Sequence, residues 1–169
     1  MGGIRTMKIK RICAVAVAIG ACVISMTGCV NFKRAKKITV YADMNLAPIV
    51  MADATQIEQR FGTQVQMRFG TTDALKQAVE NGDTPDVIIL GGKTTERKGS
   101  YLYGSPALRE LMSKKKVDNY VSIAADNEGN VYSAGKSLSS RNYVSGQDVI
   151  NYFYSTPGRS LIKRSGFTL

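Results

Sequence analysis

The chain contains no histidine. That absence removes Ser-His-Asp and Cys-His nucleophilic catalysis and the commonest zinc ligand, so hydrolase and metalloenzyme readings fall away. Cysteine is scarce as well, with three in 169 residues, at positions 13, 22 and 29. No acidic residue occurs in the first 28 positions, where every charge is positive. Internal repeats and low-complexity tracts are lacking. The basic surplus, formally +10, has no interleaved aromatic stripe, so no nucleic-acid partner is expected. Nor does any cluster of residues call for a metal or a cofactor.

What is present at the N-terminus is ordered like a secretory signal. Lys8, Lys10 and Arg11 precede an uncharged run from Ile12 to Val23, and small residues then lead to Met26-Thr27-Gly28-Cys29. The stretch from Ile12 to Gly28 is 17 residues long and includes Gly20, Ser25 and Thr27, short of the roughly 20 apolar residues that a membrane span prefers. It resembles a bacterial lipoprotein signal. That resemblance implies cleavage before Cys29 and lipidation of its sulfur, leaving the protein tethered to a membrane on its extracytoplasmic side. Met7 is an alternative start, because the six residues before it add nothing a signal needs.

Removal of residues 1–28 leaves 141, enough for one domain with its own core. Cys13 and Cys22 leave with the signal, so no internal disulfide is expected and the core must rest on burial. The remaining chain holds 19 basic and 13 acidic residues. Part of that surplus lies in Lys33-Arg34-Ala35-Lys36-Lys37, within a basic tether spanning 29–37. There each cation near an anionic leaflet is worth about 1 kcal/mol. A second run, Lys114-Lys115-Lys116, falls near the end of an expected helix, where cations suit the helix dipole.

From residue 38 to 169 the pattern is that of one α/β domain. Ile38–Ala42 reads as a buried strand, and apolar positions at Leu46, Ile49, Val50, Ala54 and Ile57 recur at helical spacing until Phe61-Gly62. Val65–Phe69 alternates as a strand, and a helix through Leu75 and Val79 stops at Asn81-Gly82. Val87–Leu90 is a continuous apolar run of the kind found in strands covered on both faces. This β-α-β-α-β order predicts a mainly parallel sheet with right-handed crossovers. An exposed loop is expected over 93–104, then a helix with Ser105 as N-cap and Pro106 in its first turn. Residues 121–124 and 131–134 suggest a short hairpin, and helices starting near Ser145 and Thr156-Pro157 close the chain.

Ligands of open α/β sheets bind beyond the carboxyl ends of the strands, near helix N-termini. Asp43-Met44-Asn45, Gly70-Thr71-Thr72-Asp73 and Leu90-Gly91-Gly92 occupy that position. Asn45, Thr71, Thr72 and Gly91 are therefore the candidate ligand-binding residues. Neutral amide and hydroxyl donors among small residues suit a compact oxyanion. The plain alternative is that Asn45 caps the first helix, Thr72 or Asp73 caps the second, and Gly91-Gly92 is a turn. A catalytic grouping of Asp43, Asp73 and Asp86 is weighed and set aside, so no enzyme is expected.

Three of these segments carry a resemblance. Ile38–Leu46 resembles the opening strand and Ala-Ala-Ser-Leu turn of molybdate-type substrate-binding proteins of ABC transporters. Phe69–Leu75 is similar to that family's Phe-Gly-Gly-Ser-Gly-Ala-Leu, and Asn81–Val87 to its Gly-Ala-Pro-Ala-Asp-Val. Tyr152-Phe153 through Pro157-Gly158 to Phe167 resembles its final helices. The family has two α/β lobes, the second inserted where this chain holds only the hairpin, so the resemblance implies a single three-layer αβα lobe of the periplasmic-binding-protein type. It also places the family's first-lobe serines on Asn45 and Thr72, and a backbone contact near Gly91. Leu90 stands where the family often has serine. Asp73 replaces a small residue beside Thr72. A carboxylate about 5 Å from an anion at an effective dielectric near 20 costs roughly 3 kcal/mol, enough to weaken binding about a hundredfold. The implied function is a membrane-anchored solute-binding lipoprotein with a weak oxyanion site, working with an ABC permease. The alternative is an envelope or surface lipoprotein using the lobe to bind another protein.

Overall fold

The computed structural model describes residues 36–95, 97–98, 101–102 and 104–168. The expected signal and Cys29 lie outside the described residues, as do Tyr103 and the side chains of Tyr101 and Leu102.

β1 (Lys36–Asp43) leads through a one-turn 3₁₀ helix (Met44–Leu46) into α1 (Ala47–Phe61). Gly62 ends α1 with φ of 59°, a left-handed conformation that favours glycine. β2 (Thr63–Gly70), α2 (Thr72–Glu80) and β3 (Val87–Leu90) follow. The expected loop over 93–104 instead carries a small antiparallel ribbon, β4 (Arg97–Lys98) with β5 (Tyr101–Leu102). Strands of two residues are too short to show an alternating pattern. α3 (Pro106–Ser113), β6 (Val117–Ala125), β7 (Val131–Ser137), α4 (Tyr143–Tyr154) and α5 (Thr156–Arg164) complete the order.

The main sheet runs β2-β1-β3-β7-β6. β1 is parallel to both β2 and β3, whereas β7 is antiparallel to β3 and to β6. The hairpin expected as a short addition is thus longer, nine and seven residues, and supplies two strands of the sheet. β7 is buried along its whole length although it contains Ser133, Lys136 and Ser137. Those polar residues interrupt the apolar run that would have marked a central strand.

Period-two alternation divides the sheet residues between two cores. Ile38, Val40, Ala42, Val87, Ile89, Tyr132 and Ala134 pack with α1, α4 and α5. Ile88 and Leu90 pack with Leu75 and Val79 of α2 and Leu108 and Leu111 of α3. The result is the expected three-layer αβα lobe. Tyr120 of β6 is partly buried and packs against the second core. The lysine run is only partly a helix-dipole feature: Lys114 Nζ pairs with Glu80 and Glu110, each at 2.7 Å. Lys76 also donates to Glu110, and the hydrogen bonds from Lys114 and Lys76 hold the Glu110 carboxyl down at about 2. No described helix is long and apolar enough to cross a membrane.

Candidate functional site

Parallel register brings the carboxyl ends of β1, β2 and β3 to one edge, and the loops that follow carry three of the candidate residues. Asn45 lies in the 3₁₀ turn after β1, Thr72 is the first residue of α2 after β2, and Gly91 follows β3. Asn45 and Thr72 both donate to one side chain, the carboxylate of Asp43, which is 5% exposed, and Gly91 joins them through Thr72. Its Oδ1 accepts the Asn45 backbone N–H at 3.0 Å, and its Oδ2 accepts the Thr72 hydroxyl at 2.5 Å. Thr72 Oγ1 in turn accepts the Gly91 N–H at 2.9 Å. The expected donors are therefore drawn together; two of them hold a carboxylate of the chain itself, and the third, the Gly91 N–H, is taken up by Thr72.

Thr71 stands apart. It is exposed, and its hydroxyl accepts the Ala74 N–H at 3.3 Å, capping α2. Asp73, to which the electrostatic obstacle was assigned, is exposed in the first turn of α2. The carboxylate that sits among the donors is Asp43, so the obstacle is one corner away from where the sequence places it. Asp86 belongs to the other end of the sheet. It accepts the Thr39 N–H at 2.8 Å and the Ser140 hydroxyl at 2.5 Å. Four residues separate Thr39 from Asp43, about 13 Å of strand, so the three aspartates do not gather.

Sequence reasoning missed the roof of this corner. Antiparallel pairing of Leu90 with Ser133 carries Gly91 opposite Tyr132, and a Cβ at Gly91 would lie 2.5 Å from the Tyr132 ring. Only glycine lets the ring lie there. Tyr132 is 2% exposed, donates to Asp126 Oδ2 at 3.2 Å, and meets Phe167 edge-on at 5.6 Å between ring centroids. Burial pushes its phenol up to about 12, opposed by a hydrogen bond with the Asn45 side chain and reinforced by the charges of Asp126 and Asp43. Ser105 occupies the N-cap position of α3, yet its hydroxyl donates to the Gly91 carbonyl at 3.0 Å instead of capping. Its N–H donates to Ser133 Oγ at 2.9 Å, extending the buried polar seam to β7.

Thr72→Val keeps the side-chain shape but leaves a buried carboxylate oxygen and the Gly91 amide without their partner. A bond to a charged group contributes about 1.5–3 kcal/mol, so a loss of about 2 kcal/mol is expected in urea unfolding. Thr71→Ala, which removes only a cap, should cost about 1 kcal/mol. Equal costs for the two would contradict the arrangement.

Away from this corner, an open depression of about 110 Å³ is lined by residues that include Asp118, Tyr120, Lys136, Gln147 and Ile150. It presents opposed charges on one hairpin face and lacks converging backbone donors. Among the described residues no group of three or more His, Cys, Asp or Glu could hold a metal ion.

No protein-family model matches the chain, and no curated protein does. Solved structures do. The substrate-binding domain of a putative molybdenum ABC transporter from Clostridium difficile superposes with a TM-score of 0.66 at 8% identity, covering 79% of this chain and 99% of that one. The periplasmic molybdate-binding protein of Azotobacter vinelandii gives 0.64 at 9% identity, covering 78% and 99%. The sulfate-binding protein of Mycobacterium tuberculosis H37Rv gives 0.59 at 11%, covering 78% and 86%. At such identities the likeness is one of fold, and the fold is that of these periplasmic-type binding proteins.

Proposed function

We propose that this protein is a membrane-tethered, extracytoplasmic binding lobe of the ABC-importer type, lipidated on Cys29, whose affinity for small oxyanions is weak. The observation that carries this reading is the convergence of Asn45, Thr72 and Gly91 on one point at the carboxyl edge of the parallel strands. Weakness has two causes. Asp43 already engages the donors, and a single lobe leaves an anion exposed to water on its other side. A permease or a second copy of the chain would have to supply the missing half.

Asp43 also favours a second reading, in which the lobe has left transport and serves as an interaction module for another envelope protein. Calorimetric titration with molybdate, tungstate and sulfate tests the first reading. Dissociation constants of about micromolar or weaker are expected. Nanomolar binding would contradict a half-site. For the anchor, incorporation of labelled fatty acid into the protein should be lost in Cys29→Ser, and equal labelling of the variant and the original would contradict lipidation of Cys29.

A further inference from the structure

A carboxylate buried at the end of a strand ordinarily serves its own turn. Asp43 does so with one oxygen, accepting the Asn45 N–H two residues ahead. Its other oxygen does something different, accepting a hydroxyl from Thr72, 29 residues away in sequence. Thr72 then collects the Gly91 N–H from a third corner. Thr72 is also the first residue of the nine-residue α2, so the carboxylate sits at the positive end of that helix dipole. Neutral donors from two corners, one of them braced by the amide of the third, together with a helix N-terminus, are surroundings suited to a bound anion. Here the anion is covalently attached.

We propose that Asp43 is the specificity-determining residue of this corner: its carboxylate takes the place of a bound oxyanion and competes with free anions, and its removal opens a site for a small oxyanion. The inference deepens the anion-site reading and rests on it. The backbone at Asp43, with φ −55° and ψ 135°, is open to any residue, so truncation there carries no conformational strain. Asp43→Ala would leave room for formate in the position of the missing carboxyl group. Part of the space needed by a tetrahedral anion is freed as well.

The test is chemical rescue, using the whole chain purified in mild detergent. Thermal unfolding of the original protein, of Asp43→Ala, and of Asp43→Ala combined with Thr72→Val is followed with formate, sulfate, molybdate, and chloride at matched ionic strength. Asp43→Ala should melt lower than the original. An anion at about a hundredfold its dissociation constant should then raise the melting temperature by about 5 °C or more. The rise should be much smaller in the original protein, and absent in the double variant and with chloride. If Asp43→Ala does not fold alone, a fold recovered only in formate, sulfate or molybdate counts for the proposal. No rescue by any of the three, or equal shifts in the original protein, would overturn it. Rescue by formate alone would uphold Asp43 as the internal anion and sink the solute reading for tetrahedral oxyanions, so the two failures are distinguishable.

Discussion

Replacing Asp53 by asparagine is expected to stabilise the protein, by about 1–2 kcal/mol at pH 5 and about 3–4 kcal/mol at pH 8. Asp53 lies in the middle of α1 with no accessible surface, and both its carboxylate oxygens lack a hydrogen-bond partner. Burial pushes its pKa from 3.8 up to about 7. Between those values the unfolded chain has released the proton while the folded one retains it, so stability falls as pH rises. The contribution is fully present below pH 4 and is lost through pH 7. Asparagine has no proton to lose, and its advantage should therefore grow across that window. Urea unfolding of both proteins at pH 5 and pH 8 reads the difference directly. An advantage that does not grow with pH would show that Asp53 is solvated or paired.

Gly158→Ala has the opposite expected sign, a loss of about 3 kcal/mol or more. Helix propensity alone favours alanine by about 1 kcal/mol, since Gly158 is in the first turn of α5. Space decides against it. A Cβ there would lie 2.3 Å from the Tyr152 carbonyl oxygen and 3.0 Å from the Phe153 Cα, both backbone atoms of α4. Neither can swing aside as a side-chain tip would, so α4 and α5 must separate, drawing Phe153 and Ile162 out of the larger core. A variant as stable as the original would mean that the helices do not meet this closely.

The order of elements was legible because their signals are local. The β-branched run at 38–42, the 3.6-residue spacing from Leu46 to Ile57, the stop at Gly62 and the apolar Val87–Leu90 all act within a few residues of themselves. Asp53 was overlooked, although it is four residues from Ile49 and from Ile57, on the stripe that must face the core. What spacing cannot convey is pairing at a distance. The turn residues Asp43-Met44-Asn45 declare a turn, but nothing near them reports that the Thr72 hydroxyl will arrive. The same holds for Tyr132. Its place over Gly91 follows from β7 pairing with β3; the sequence showed β7 only as one arm of a short hairpin, because the serines and lysine it buries mask a central strand. Asp73 drew attention because it adjoins Thr72 in sequence, whereas a helix turns successive residues about 100° apart.

The proposed anion site is one point in space, between the Asn45 amide and the Thr72 hydroxyl, where the Asp43 carboxylate now lies. A crystal structure of Asp43→Ala grown with tungstate, with the tungsten located by its anomalous scattering, examines that point most directly. The expected result is tungstate with oxygens about 3 Å from Asn45 N and Thr72 Oγ1. Tungsten bound elsewhere on the lobe, with this corner closed and empty, would contradict it.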